Sequence, residues 1–181
     1  MDDPLDLFMR LIEEAIGVVN EMEREGVIER YAIGGGAAIA LHMEPIPTQD
    51  LDVFVFLPQT PGQLILLTPI YDYLKARGHR VGEAWVYIHD IPVQFIPAYD
   101  DLTEEAVDRA VDAFCGKTPT RVFRAEHLLA IMLQTSRDKD KERIVRVSQE
   151  AAIDERLLED TLRRHGLWEK WERFWEKRRE A

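Results

Sequence analysis

Three glycines in a row, Gly34 to Gly36, stand a short apolar segment ahead of two alternating carboxylates, Asp50 and Asp52, which open the apolar run Leu51-Asp52-Val53-Phe54-Val55-Phe56. Glycine lets a backbone approach an anion closely and adopt left-handed angles. A helix that starts from such a turn points its first N–H groups and positive dipole end at phosphates. On a strand, residues i and i+2 face the same side, so Asp50 and Asp52 project together while Leu51, Val53 and Val55 enter the core. Two carboxylates in one small volume repel, and a divalent cation relieves the repulsion. Magnesium, or manganese in its place, takes oxygen ligands and coordinates substrate phosphates as well. With two metals roughly 3.5 to 4 Å apart, the attacking and leaving oxygens of an in-line displacement are both stabilised. Alone, the glycines also read as a plain strand-to-helix turn, and Asp-x-Asp as the wet end of a strand. Together they point to metal-dependent phosphoryl transfer.

Around these residues the hydrophobic pattern predicts the supporting elements. Leu5, Phe8, Met9, Ile12, Ala15, Ile16 and Val19 recur at helical spacing, giving an amphipathic helix over residues 4 to 25. Tyr31 to Ile33 is a short strand running into the glycines, and Ala37 to Leu41 is the helix that leaves them. Pro45 and Pro47 make residues 44 to 49 a loop feeding the Asp50 strand. A helix is expected over 61 to 77. Two strands follow, Arg80 to His89 and Ile91 to Ile96, joined by a tight turn at His89-Asp90. Residues 103 to 114 read as a helix capped by Thr103, Pro119 to Phe123 as a last short strand, and everything from Ala125 as helices broken near Ser136, Ala152 to Asp154 and Gly166. The fold class is α/β, with a small mixed sheet flanked by helices and a C-terminal helical region. The expected division is a core over 1–123 and a helical region over 124–181 packed on it.

Composition narrows the chemistry further. The 181 residues suffice for a buried core, and a net charge of −11 argues against binding long nucleic acid by overall electrostatics. Basic residues nonetheless gather late in the chain, at Arg121, Arg124, Arg137, Lys139, Lys141, Arg143 and Arg146, where a nucleotide or an RNA end could be received. One cysteine, Cys115, allows neither an intramolecular disulfide nor a thiolate metal cluster, which suits a reducing cytoplasm. Nothing approaches the length of a bilayer span, so a soluble cytoplasmic protein without a membrane partner is expected.

Ile33-Gly34-Gly35-Gly36 and Asp50-Leu51-Asp52-Val53-Phe54 resemble the signature of the nucleotidyltransferase superfamily with the DNA polymerase beta-like fold. Thr48-x-Asp50-x-Asp52, Glu126-His127-Leu128-Leu129 and Arg137-Asp138-Lys139-Asp140 look more specifically like the AbiEii-type toxins of abortive-infection systems. The resemblance covers roughly residues 28 to 145. It implies transfer of a nucleoside monophosphate from an NTP to an acceptor hydroxyl on tRNA, another RNA end or a small molecule, and a cognate antitoxin. It implies magnesium on Asp50 and Asp52, phosphates at Gly34, Gly35 and Gly36, Thr48 steadying the loop, and Arg137, Lys139 and Asp140 at the nucleotide. The superfamily takes a third carboxylate from a later strand, and the matching residue here is Gln94. An amide oxygen can ligate magnesium but cannot accept a proton, so a second expectation is a weakened or inactive relative that binds nucleotide or protein without chemistry. Cys115 is expected to be buried and inert. Trp168, Trp171 and Trp175 are expected to form one aromatic stripe, packed on the preceding helices or meeting a partner.

Overall fold

A computed structural model describes residues 4–43, 50–58 and 67–180. Helix α1 (Pro4–Arg24) leads through the Gly26 turn to strand β1 (Arg30–Ile33), helix α2 (Gly35–His42) and strand β2 (Leu51–Phe56). Next come helix α3 (Thr68–Ala76) and strands β3 (Arg80–Val81), β4 (Val86–Ile88) and β5 (Ile91–Pro97). Helix α4 (Asp101–Asp108) and the hairpin of β6 (Val111–Cys115) and β7 (Thr118–Val122) precede four helices: α5 (Ala125–Thr135), α6 (Asp138–Glu150), α7 (Glu155–Arg164) and α8 (Trp168–Arg179).

The sheet is mixed, as the pattern predicts, in the order β3-β4-β5-β2-β1-β7-β6. Strand β2 lies antiparallel to β1 and parallel to β5, and β1 lies parallel to β7. In the register of these central strands Ala32 pairs with Phe54, and Asp52 with Gln94. Because side chains alternate along a strand, Asp52, Phe54, Gln94 and Ile96 share one face of the sheet. The other face is held by α1. Tyr31, fully buried, donates its hydroxyl to Asn20 Oδ1 at 2.6 Å and stands 3.1 Å from Thr120 Oγ1. Ile12, Ala15, Ile16, Val19 and Met22 of α1 are buried in the core cluster, so the predicted helical stripe is the packed one, except that Met9 stays exposed.

The turn at His89-Asp90 forms with both residues at positive φ, but the strand expected before it is split into β3 and β4 by a turn in which Gly82 N–H donates to Trp85 O at 2.8 Å. The helix expected over 103 to 114 is corrected. It occupies Asp101–Asp108, and Val111 onward is strand, paired with β7 by a hairpin whose Gly116 has φ +58°. The cap is Asp100, whose carboxylate accepts from Thr103 N–H at 2.7 Å; Thr103 sits three residues inside as the reciprocal member of a capping box. The strand signal was present in the alternation of Val111, Ala113 and Cys115, which turn inward while Asp112 and Phe114 are exposed. Breaks at Ser136 (φ +53°) and Gly166 (φ +66°) separate the last helices where expected. Helix α5 packs on α2, α4, α6 and α7. The segment 61 to 66 of the expected third helix lies outside the described residues, as does Thr48.

Candidate active site

The site is built where β1 hands over to α2. Gly34 N–H donates to Asp52 O at 3.0 Å, which extends the β1–β2 ladder by one step and brings the glycine turn beside the second carboxylate. Gly35 then adopts φ +56°, a conformation other residues rarely take. A β-carbon on Gly35 would fall on the Asp52 carboxylate, well inside contact distance. On Gly34 it would meet the Phe54 ring at 2.5 Å and the Phe123 ring at 3.1 Å. The two rings themselves pack with centroids 4.7 Å apart. Both glycines are therefore required by close approach. Gly36 is buried at the start of α2. The bond from Ala38 N–H to Gly34 O, 3.1 Å, closes the first turn of the helix, and the N–H groups of Gly35, Gly36 and Ala37 lie ahead of it.

Asp50 stands at the bend before β2, and its negative charge reaches Asp52. Burial, and then that charge, push the Asp52 carboxyl up from the ordinary carboxylate range. Three cations oppose the shift: Arg137, Lys139 and Arg143, all from α6 or the residue before it. The basic segment seen in the sequence thus lies within electrostatic reach of Asp52. Arg143 belongs to the late basic cluster of the sequence; it follows Lys139 by four residues and so shares its helix face. Lys141 points elsewhere, bonding Asp138 at 2.7 Å. Arg121 pairs with Glu23, and Arg124 donates to Arg109 O at 3.0 Å.

A pocket of about 70 Å³ joins these parts, with Gly35, Asp52, Gln94, Arg137, Asp140 and Arg143 among its walls. Gln94 occupies the strand position beside Asp52, the place expected of a third carboxylate. Asp140 is fully buried. Its Oδ2 accepts from Arg137 Nε at 2.8 Å and from Thr135 Oγ1 at 3.0 Å, which fixes the guanidinium at the α5–α6 corner, while its Oδ1 has no hydrogen-bond partner among the described residues. His42, at the end of α2, is 2.6 Å from Phe123 O and ties α2 to the start of α5. Cys115 is buried, and burial raises its thiol.

Solved structures share this architecture. The antibiotic-resistance factor ANT(2'')-Ia in solution matches with a TM-score of 0.57 at 16% identity, over 97% of this chain and 99% of that one. The fold is that of the nucleotidyltransferases. An antigenic nucleotidyltransferase-like protein from Paracoccidioides brasiliensis matches with a TM-score of 0.55 at 15% identity, over 76% of this chain and 75% of that one. A crystal structure of ANT(2'')-Ia in complex with adenylyl-2''-tobramycin matches with a TM-score of 0.50 at 18% identity, over 97% and 99%. No family model matches the sequence, and no curated protein matches it.

A nucleotidyltransferase fold implies a divalent metal, and the donor set fits one. The candidate donor atoms are the oxygens of Asp50, Asp52 and the Gln94 amide. The Asp52 carboxyl is raised first by burial and then by the Asp50 charge, and a bound cation would offset both. Among the described residues no three His, Cys, Asp or Glu side chains converge as a metal cluster. Two carboxylates with substrate and water oxygens suit magnesium, which keeps several waters and binds phosphates.

Proposed function

We propose that this protein is a magnesium-dependent nucleotidyltransferase, moving a nucleoside monophosphate from an NTP to an acceptor hydroxyl. The observation that carries the reading is the meeting at Asp52 of the Gly35 backbone on one side and the charges of Arg137, Lys139 and Arg143 on the other. Asp50, Asp52 and the Gln94 amide oxygen would hold magnesium, which when bound supplies positive charge to the phosphate oxygens. The N–H groups that open α2 receive phosphate through Gly35 and Gly36. Arg137, Lys139 and Arg143 neutralise the charge that grows on the departing pyrophosphate. Asp140 is a positioning residue for Arg137.

In the transfer, the acceptor oxygen forms a bond to the α-phosphorus as the bond from that phosphorus to the bridging oxygen breaks. Pyrophosphate leaves with the electron pair. The acceptor proton passes to solvent, because the amide at Gln94 cannot take it. The AbiEii-type toxin role and its antitoxin belong with this proposal and rest on the Thr48 to Asp52 and Arg137 to Asp140 motifs.

Gln94 favours a second reading, a protein that binds nucleotide without turnover. Label transfer from α-labelled NTPs into RNA and small-molecule pools decides between them. Magnesium-dependent transfer that is lost in Asp52→Asn supports the enzyme. Nucleotide binding without transfer, unchanged by Gln94→Asp, supports the binding protein.

A further inference from the structure

A second groove, of about 470 Å³, lies between α5, α6 and α8. Among the described residues it has only Met132 in common with the Asp52 pocket, so it is a site of its own. Its rim carries Lys141 from α6 and Lys170, Arg173, Lys177 and Arg178 from α8, and none of its described lining residues is acidic. Its floor is aliphatic, with Met132, Leu133 and Ile144. The chain carries a net charge of −11, so a concave surface of purely positive sign runs against the rest of the molecule. A cleft lined by one sign of charge focuses its field on a counter-ion.

Helix α8 accounts for the pattern. Lys170, Arg173 and Lys177 follow one another at intervals of three and four, on one face, while the glutamates of the same helix do not line the groove. Two rim cations have exposed acidic neighbours, Lys141 with Asp138 at 2.7 Å and Arg173 with Glu169 at 3.6 Å, and such pairs are weak. Lys170 Nζ and Arg178 Nη2 reach only backbone carbonyls, of Gln134 and Lys141, each at 3.3 Å. Lys170, Lys177 and Arg178 thus have no carboxylate partner among the described residues. The Phe174 ring is already packed, with the Arg178 guanidinium 4.1 Å and the Trp175 ring 5.3 Å from its centroid, so it is wall and not a stacking platform.

We propose that this groove binds a small organic diphosphate with a hydrocarbon body, its phosphates on the α8 cations and its body on Met132, Leu133 and Ile144. The row of cations suits a short phosphate chain, whose oxygens accept from guanidinium forks and ammonium groups together. The body is hydrocarbon because the floor gives a polar one nothing to bond: its side chains are aliphatic, and the Ser136 hydroxyl beside them already donates to Leu133 O at 2.8 Å. An apolar cleft with a few convergent charged groups, of this volume, is of the size that takes small molecules. The ligand is distinct from the NTP of the proposed transfer, and the groove does not depend on that reaction.

The test is calorimetric titration of the full chain, without magnesium and without NTP, with geranyl diphosphate and with inorganic diphosphate. Geranyl diphosphate should bind at least about tenfold more tightly than inorganic diphosphate, since burial of a few carbons is worth that much. Lys177→Glu and, separately, Arg178→Glu should each weaken its binding by roughly tenfold. Arg179→Glu makes the same charge change on the same exposed helix end, outside the groove, and should leave affinity within about threefold at physiological salt. All three side chains are exposed, and circular dichroism checks that each variant is folded. No binding of geranyl diphosphate, equal affinity for inorganic diphosphate, unaltered binding in both groove variants, or an equal loss in Arg179→Glu overturns the proposal. Titration of NTPs with magnesium is a separate experiment, so failure of the groove and failure of the proposed transfer are told apart.

Discussion

The Asp52 carboxylate rests against the backbone of Gly35 so closely that no β-carbon fits between them. The contact joins the glycine turn to the Asp-x-Asp strand, which a linear sequence shows only as two separate motifs. Gly35→Ala should therefore act twice, through the positive φ and through displacement of Asp52. A loss of about 1 to 3 kcal/mol of stability is expected from the backbone conformation. Nucleotide binding should fall far more than the stability change accounts for. Thermal melting and calorimetry on the same sample check this; a variant that melts lower yet binds normally would refute the contact's role.

Asp52 is held as a carboxylate at the expense of the fold. Its carboxyl is raised by burial and by Asp50, so the native state holds that proton more tightly than the unfolded chain does. The contribution of the group is thus fully present below the ordinary value of about 4 and is lost as pH rises through the raised native value. Asp52→Asn should raise Tm by a few degrees at neutral pH in the absence of metal, and the gain should shrink as pH falls through that window. Magnesium should stabilise the unmodified protein and not the variant.

Gln94 pairs with Asp52 across β2 and β5, and in the proposed transfer it would limit the rate. With an amide there the acceptor must lose its proton to solvent, so turnover should rise with pH. Gln94→Asp supplies a proton acceptor and should increase turnover by roughly 10² to 10⁴, with a flatter pH profile. A pH–rate series on both proteins is the check, and an unchanged rate in Gln94→Asp would count against the assigned position.

Much of this was legible in the sequence for a physical reason. The glycines, the carboxylates and the apolar alternation of β2 are local, and local patterns determine turns, caps and strand faces. Gln94 was placed by its alternation in β5, and the register beside Asp52 agrees. The Arg137 to Asp140 segment required tertiary structure, because an alternating-charge helix looks the same whether it faces solvent or a carboxylate. Within it, the burial of Asp140 and its bond to Arg137 depend on the α5–α6 corner at Ser136. The helix expected over 103 to 114 overran into β6 because Ala110 to Cys115 carries both periods. Pairing with β7 selects the strand.

Glu105 links three helices. Its carboxylate receives Arg164 through both terminal nitrogens, and His165 Nε2 at 2.8 Å and His127 Nε2 at 3.1 Å also contact it. These bonds, Arg164 first, hold its carboxyl far below the ordinary range. The stability they give is present above about pH 4 and is lost as pH falls toward the depressed native value. Glu105→Gln should cost about 2 kcal/mol at neutral pH, allowing for the exposed Arg164 side chain. The variant should also lose less stability on acidification, which urea titrations at several pH values would measure.

Calorimetric titration of each NTP, with and without magnesium, probes the proposed metal-nucleotide site at Asp50 and Asp52. At least one NTP should bind the unmodified protein in a magnesium-dependent way, and that binding should be lost in Asp52→Ala. No binding of any NTP, or binding that persists without magnesium or without the Asp52 carboxylate, would contradict that site.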